Sequence, residues 1–174
     1  MSDKETTKIP SFDFDKSGMF MLAQIYVIGA AMQIDRYLES LDRKDKSKVT
    51  SLLVQFHEVS CLFEDLACIS EYFKQGNFTH KMDKVWKQVR HHIRHDLRDN
   101  STDEQSVGQT KKRHKYLKLD SRLISQLSFT KDSINIGADT TVLVSDIKEY
   151  INWAEEIMGE YFEHGKSTGK IVSQ

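Results

Sequence analysis

The sequence contains a single proline and only eight glycines in 174 residues, so few residues are available to end or bend helices. An all-β sandwich needs a turn about every ten residues, and this composition argues against one. With 39% hydrophobic and 29% charged residues, the chain has the composition of a folded protein. Its length is sufficient for one hydrophobic core, and we expect a single domain.

Cysteine is equally scarce, because Cys61 and Cys68 are the two in the chain. On one helix, seven residues correspond to about 10 Å of rise, which is too far for a disulfide. Two unpaired thiols are typical of a reducing compartment, so we predict a cytoplasmic protein. The absence of a CxxC pair excludes a structural zinc site built from cysteines.

Membrane and leader signals are also lacking. No basic segment leads into an apolar stretch near residue 1, so no signal peptide is predicted. The most apolar run, 19–34, is shorter than the roughly 20 residues of a membrane-spanning helix and contains Gln24 and Gln33. We therefore predict a buried helix and no membrane partner. The chain also has no glycine-rich phosphate loop and no GxSxG or HExxH motif.

Apolar residues recur at helical spacing in four long segments. The predicted helices cover about 16–41, from Val49 to a stop at Gly76-Asn77, about 79–98, and from an N-cap near Ser145 to Gly165. The first is apolar on most sides, which predicts a central helix or one in a subunit interface. The predicted fold is mainly α, a four- or five-helix up-and-down bundle with a small β-hairpin insert before the last helix.

The predicted organisation is an N-terminal tail at 1–14, one bundle domain at 15–165 and a C-terminal tail at 166–174. Within the domain, 99–118 is predicted to be a basic exposed loop. The segment 120–144 is the β-like insert, because its apolar residues shift toward a period of two and Gly137-Ala138-Asp139 favours a turn.

Positive charge and histidine are concentrated in one part of the chain. Between His80 and Lys118 there are eleven Lys and Arg and five Asp and Glu, whereas the whole chain has a net charge of -1. Four of the seven histidines lie between His80 and His95. With Ile93 facing the core, helical geometry directs His91 and His95 outward and places Arg90 beside the core. This pattern predicts an anion-binding face.

Histidine and arginine are the groups that RNA cleavage requires. Histidine titrates near neutrality and can act as base or acid, and arginine offers a planar fork to phosphate oxygens. The run 90–95 contains R-x4-H, from Arg90 to His95, with the polar His91 directly after the arginine. It resembles the signature of the HEPN superfamily (higher eukaryotes and prokaryotes nucleotide-binding), whose members are helical bundles with this motif on a late helix.

The resemblance implies a metal-independent endoribonuclease of a toxin–antitoxin, phage-defence or RNA-processing system. It implies Arg90 and His95 as catalytic residues, His91 as their support, no cofactor and no metal. It also implies a homodimer in which two motifs form a composite site, and an antitoxin or regulatory protein is a further expected partner. From their charge, the residues expected to bind RNA are Lys87, Arg94, Arg98, Lys111, Lys112 and Arg113.

Two alternatives remain open at this stage. The same basic face could hold RNA, a nucleotide or an acidic protein without catalysis. Alternatively, His91 and His95 have the i, i+4 spacing of a metal site that would need a carboxylate from the second helix, and the candidates are Glu58, Glu64 and Asp65. Glu64 and Asp65 could instead face solvent or orient Arg90.

The same analysis predicts the environments of four uncharged side chains. Trp86 lies on the apolar stripe of the third helix and is predicted to be in the core. Trp153 lies one step off the stripe of the last helix, which favours an interface. Cys61 and Cys68 are predicted to be buried apolar fillers.

Overall fold

The computed structural model describes residues 17–43, 47–96, 127–136 and 140–167. They form four helices and a three-stranded antiparallel sheet that precedes the last helix, and 79% of them are helical. In chain order the elements are α1 (Ser17–Asp42), α2 (Lys48–Gln75), α3 (Asp83–His91) with a π-helical turn (His92–Asp96), β1 (Leu127–Phe129), β2 (Ser133–Ile136), β3 (Thr141–Leu143) and α4 (Val144–Ser167). The predicted mainly α fold with a small β insert is confirmed. The predicted tail 1–14 and loop 99–118 lie outside the described residues.

Helix α2 has the start and stop signals that its sequence predicts. The Ser47 hydroxyl accepts a hydrogen bond from the Thr50 N–H at 3.1 Å and caps the first turn. At the other end, the Gly76 N–H bonds the carbonyl of Phe73 at 2.9 Å, and Asn77 adopts a positive φ of 66°. The left-handed conformation at Asn77 ends the helix where the Gly-Asn pair predicted it.

Helix α1 is apolar on two faces, but only one of them is buried. The buried face packs into the core with Phe20, Ala23, Val27, Ala30, Ile34 and Tyr37. The opposite face leaves large side chains exposed, namely Met21, Leu22, Ile25, Ile28 and Met32. The prediction of a buried helix therefore holds for one face only, because the other helices cover one side of α1, and the alternative position in a subunit interface stays a prediction.

The length and composition of α1 also bear on the membrane question. Among the described residues, Gly18–Asp42 is long and apolar enough to span a membrane, which corrects the prediction that the run is too short. Core helices of soluble proteins meet the same criterion when they are mostly buried, and 28% of the most apolar stretch of α1 is buried. The buried face of α1 packs along α2.

The predicted hairpin is a three-stranded sheet in the order β1-β2-β3. Leu127 pairs with Ile136, and Ile134 pairs with both Phe129 and Val142. Leu127, Ile134, Ile136 and Val142 are buried, so one face of the sheet covers the core. The extra strand is Thr141–Leu143, which runs directly into α4.

The ends of α4 differ from the prediction. The helix begins at Val144, whose N–H bonds the Asp132 carbonyl at 2.9 Å, so Ser145 lies inside the helix and is not its N-cap. At the other end the helix continues through Gly165 to Ser167, and Gly165 is buried. The buried stripe of α4 includes Ile147, Tyr150, Ile151, Ala154, Met158 and Tyr161.

Helix α3 is positioned by the side chains at its start. It begins at Asp83, later than predicted, because the Asp83 carboxylate accepts bonds from the His80 N–H at 2.8 Å and the Tyr150 hydroxyl at 3.0 Å. Trp86 is fully buried between the rings of Phe63 and Tyr150, as predicted for a core residue. Val89 and Ile93 continue this buried stripe.

Trp153 packs within the chain. Its ring lies 5.5 Å from that of Phe73, 4.8 Å from His80 and 5.3 Å from Tyr150. These contacts within one chain account for the position of Trp153, so a subunit interface is not required to explain it.

Candidate active site

A cavity of about 490 Å³ lies between α1, α2 and the end of α3, and we call it the Arg90 cavity. Helix α1 contributes one side chain and α2 and α3 the others. The lining residues are Gln33, His57, Ser60, Cys61, Glu64, Asp65, Arg90, Ile93 and Arg94. Two arginines, two carboxylates and a histidine thus share one concave surface, which makes it a candidate site.

The Arg90 guanidinium is held by two carboxylates of α2. Its Nη2 lies 2.5 Å from Glu71 Oε1, and its Nη1 lies 3.8 Å from Glu64 Oε1. The side chain is 21% exposed. Burial acts to lower the pKa of Arg90, but the hydrogen bond and charge of Glu71, together with the charge of Glu64, raise it overall. Arg90 is therefore a fixed cation at the edge of the cavity.

Arg94 is joined to Arg90 through Glu64. Arg94 Nη2 lies 2.5 Å from Glu64 Oε1, and the side chain is 49% exposed. Glu64 thus faces both arginines, but its hydrogen bond goes to Arg94 and its contact with Arg90 is an ion pair at 3.8 Å, so Glu71 is the residue that holds Arg90 by a hydrogen bond. Glu71 was not predicted, although it lies two helical turns after Glu64 on the same face of α2.

Asp65 is half-buried in the wall of the cavity and does not face solvent. Burial, and then the neighbouring charge of Glu64, raise the pKa of Asp65 to about 6. Across from it, a Cβ on Gly29 would approach Asp65 Oδ2 to 2.7 Å. A side chain at position 29 would therefore displace the Asp65 carboxylate from its place against α1.

The raised pKa of Asp65 predicts a specific pH dependence of stability. Below pH 3.8 the carboxyl is protonated in both folded and unfolded chains, so its burial lowers the free energy of unfolding only slightly. Between pH 3.8 and about 6 the unfolded chain ionises first, so the free energy of unfolding falls as the pH rises. Asp65→Asn should therefore raise the Tm, relative to the wild type, more at pH 7 than at pH 4. Asp35→Asn, at an exposed position of α1, is the control, and an equal difference at both pH values would contradict the assignment.

The predicted motif lies where α3 changes to a π-helical turn. On an ideal α-helix, positions 90 and 95 are about 140° apart. A π turn has i→i+5 hydrogen bonds and more residues per turn, so it reduces the angle between backbone positions five residues apart. Such turns occur frequently at functional sites. The π turn therefore brings positions 90 and 95 closer to the same side of the helix, which favours a joint role in one site.

The other predicted site residues are not all in the Arg90 cavity. His91 is exposed and, with Lys87 and His92, lines a second cavity of about 650 Å³ against Thr141 of β3. Arg90 and His91 thus open onto different cavities, although they are adjacent in the chain. The side chain of His95 lies outside the described part of the structure, as do Arg98, Lys111, Lys112 and Arg113.

Two further cavity residues were not assigned a site role from the sequence. Cys61 is half-buried, and its Sγ lies 3.9 Å from His57 Nε2, so it lines the cavity and does not fill the core. Gln33 Oε1 is buried and has no hydrogen-bond partner among the described residues. A buried amide oxygen that lines a cavity offers a hydrogen-bonding group to a bound molecule. His57 and Cys61 lie four residues apart on the side of α2 that carries Glu64. This spacing is the sequence signal that could have identified Cys61 as a site residue.

Metal binding was one of the open alternatives. Within residues 17–43, 47–96, 127–136 and 140–167, no group of three or more His, Cys, Asp and Glu side chains is arranged to hold a metal ion. Comparisons of the chain with models of protein families, with curated proteins and with solved structures found no match. The functional argument therefore depends on the residues of the site.

Proposed function

We propose that the protein is a metal-independent endoribonuclease whose active site includes the Arg90 cavity. Arg90 and His95 are its catalytic residues, with His91 in support. Lys87, Arg94 and Arg98 hold the strand, and the basic residues Lys111, Lys112 and Arg113 add to the attraction of RNA. A cytoplasmic toxin or phage-defence enzyme is the context that the HEPN resemblance implies.

The reaction would be an attack by the ribose 2′-oxygen on the adjacent phosphorus. The 2′-hydroxyl loses its proton to a base, the bond from phosphorus to the 5′-oxygen breaks, and an acid protonates the departing 5′-oxygen. The products are a 2′,3′-cyclic phosphate and a 5′-hydroxyl. His95 would act as base or acid, and Arg90 would neutralise the charge that develops on the phosphate oxygens.

The observation that carries the proposal is the fixed guanidinium of Arg90. Glu71 bonds one of its terminal nitrogens at 2.5 Å, and Glu64 is 3.8 Å from the other. A guanidinium has five N–H donors, so donors remain for a phosphate while the Glu71 bond is kept. Preorganised donors of this kind stabilise a transition state without reorganisation during the reaction.

The balance of charge in the cavity favours one alternative, a non-catalytic binding bundle. Glu64 and Glu71 neutralise Arg90 and Arg94, and Asp65 adds a further carboxyl group. In this alternative the arginines and carboxylates are a recognition surface for RNA, a nucleotide or a protein. Product formation separates the two functions, because both predict binding that weakens with salt.

The direct test is to incubate the purified protein with mixed RNA in excess chelator and to identify the new ends. Fragments with 2′,3′-cyclic phosphate or 3′-phosphate ends, formed at the same rate with and without chelator, are the expected result. Intact RNA that nevertheless binds the protein would favour the non-catalytic alternative. Cleavage that stops on addition of chelator would contradict metal independence.

We also propose that the protein is a homodimer through α1. The exposed apolar face of α1 includes Met21, Ile25, Ile28 and Met32, at helical spacing, with exposed fractions of 50–62%. Large exposed apolar patches mark interaction surfaces. The next residue after Met32 is Gln33, which lines the Arg90 cavity. A second copy on this face would therefore lie beside the cavity, as a composite site requires.

The double substitution Ile25→Glu/Ile28→Glu tests this dimer. We expect the mass in solution to fall from that of two chains to that of one, because four buried carboxylates would face each other across the interface. RNA cleavage should be lost with the dimer. Val49→Glu/Leu53→Glu, at exposed apolar positions of α2, is the matched control. A wild-type protein with the mass of one chain would contradict the proposal.

A further inference from the structure

A separate cavity of about 390 Å³ lies at the start of α3, and we call it the lysine pocket. It is formed by the end of α2, the connection to α3 and the first turns of α3. Four lysines line it, namely Lys74, Lys81, Lys84 and Lys87. It shares no lining residue with the Arg90 cavity.

We propose that the lysine pocket binds a backbone phosphate of the RNA strand whose cleavage is assigned to the Arg90 cavity. This inference rests on the proposed function, and it adds a substrate-binding subsite to it. The argument depends on the charge of the pocket, its hydrogen-bond donors and its position on α3.

The charge of the pocket is positive, because four lysines face two carboxylates, those of Asp83 and Glu149. Lys81 lies 3.3 Å from Glu149, whereas Lys74, Lys84 and Lys87 make no ion pair with the described residues. The carboxylate that lines the pocket is that of Asp83, and both of its oxygens already accept hydrogen bonds. Three ammonium groups around one cavity favour an anionic ligand.

Hydrogen-bond donors face the same space. Helix α3 begins without a side-chain cap, and the Asp83 N–H bonds the His80 carbonyl at 3.1 Å, which leaves the N–H groups of Lys84 and Val85 for an anion. Ser70, which is 1% exposed, also lines the pocket, with its hydroxyl directed at the Tyr150 hydroxyl.

His80 is oriented by its own turn and by the aromatic rings beneath the pocket. Its Nδ1 accepts the Met82 N–H at 3.2 Å, so the ring proton of the neutral histidine is on Nε2, where it can be donated. The ring packs against Tyr150 at 5.1 Å and Trp153 at 4.8 Å. Burial lowers the pKa of His80 and favours this neutral form. Trp153 therefore lies close enough to report on the pocket.

The position of the pocket on α3 favours an RNA strand over an isolated anion. Lys84 and Lys87 precede Arg90 by six and three residues, which is about 9 and 4.5 Å along the helix axis. Lys87 also lines the cavity that contains His91. Basic side chains therefore extend along α3 from the lysine pocket to the cavity that contains His91, the residue next to Arg90 in the chain, as the successive phosphates of one strand require.

The test compares two double variants that remove the same charge. Lys74→Ala/Lys84→Ala removes two ammonium groups from the pocket, and Lys48→Ala/Lys131→Ala removes two exposed lysines outside it, one at the start of α2 and one paired with Asp42 at the end of α1. The probe is a short single strand without 2′-hydroxyl groups, which the proposed reaction cannot cleave. Binding is measured by fluorescence anisotropy as a function of salt, and Trp153 fluorescence is followed during titration with the strand and with inorganic phosphate.

The pocket variant should bind the strand about tenfold more weakly than the control, and its salt slope should fall by about 1.4 for two lost contacts. Lys74→Arg/Lys84→Arg should restore binding, which excludes misfolding as the cause. Equal binding by the pocket variant and the control would overturn the proposal. The proposal would also be overturned if inorganic phosphate changed the Trp153 fluorescence while the substitutions in the pocket left binding of the strand unchanged. Because the strand is uncleavable, failure of the ribonuclease assignment would leave this result unchanged.

Discussion

Replacing His95 with alanine should lower the rate of RNA cleavage by about 10²–10⁴-fold, the range that a general acid or base contributes. The reason is that the resemblance assigns the proton transfer to His95, and Arg90, the other catalytic residue it implies, stays protonated and cannot take over that role. Folding should be retained, because the helical pattern directs position 95 away from the core stripe that contains Ile93. The measurement is the initial rate in excess chelator, together with the Tm of each variant.

Two other histidines make this test selective. His164→Ala, at an exposed position of α4, is the matched control and should cleave at the wild-type rate. His57 lines the Arg90 cavity, so His57→Ala examines the competing candidate. Loss of cleavage in His57→Ala with retained cleavage in His95→Ala would move the base or acid to α2 and contradict the role of His95.

Replacing Trp86 with alanine should lower the free energy of unfolding by about 3–5 kcal/mol, the usual cost of removing a large buried aromatic side chain. Trp86 is fully buried, and its ring lies 5.9 Å from that of Phe63 and 5.3 Å from that of Tyr150. The substitution would leave a cavity beneath α3, the helix that carries Arg90. Denaturant unfolding measures the effect.

Trp86→Phe is the conservative partner of this variant. It keeps an aromatic ring between α2 and α4 and should lose less than half as much stability as Trp86→Ala. Equal stability of Trp86→Ala and the wild type would contradict the assignment of Trp86 as the residue that docks α3 on the core.

The parts of the fold that could be predicted are those determined by local signals. The apolar spacing of α2 and the Gly76-Asn77 pair predicted its extent, and the left-handed conformation of Asn77 confirms the stop. The stripe of α3 correctly placed Trp86 and Ile93 in the core. In each case neighbouring residues in the sequence determine the outcome.

The structure differs from the sequence-based predictions where residues far apart in the chain come into contact. Glu71 and Arg90 are 19 residues apart, and their contact depends on how α2 and α3 are aligned, which neither helix specifies alone. The π turn His92–Asp96 changes the angular positions of the motif residues around the helix axis. No proline or glycine lies within this turn to indicate it in the sequence. Helix α1 has apolar residues on both faces, and only the packing of the chain determines which face is left exposed.

The most direct test of the Arg90 site is RNA cleavage in excess chelator by the wild type, Arg90→Ala and Arg36→Ala. Arg36 is an exposed arginine on α1 and controls for the loss of one positive charge. If Arg90→Ala does not fold, Arg90→Lys replaces it in the test. The lysine keeps the positive charge beside Glu71 but lacks the planar guanidinium fork. We predict that the Arg90 variant loses at least about 10²-fold in rate, as when one oxyanion donor is removed, while Arg36→Ala keeps the wild-type rate. Cleavage by the Arg90 variant at the rate of Arg36→Ala would contradict the account.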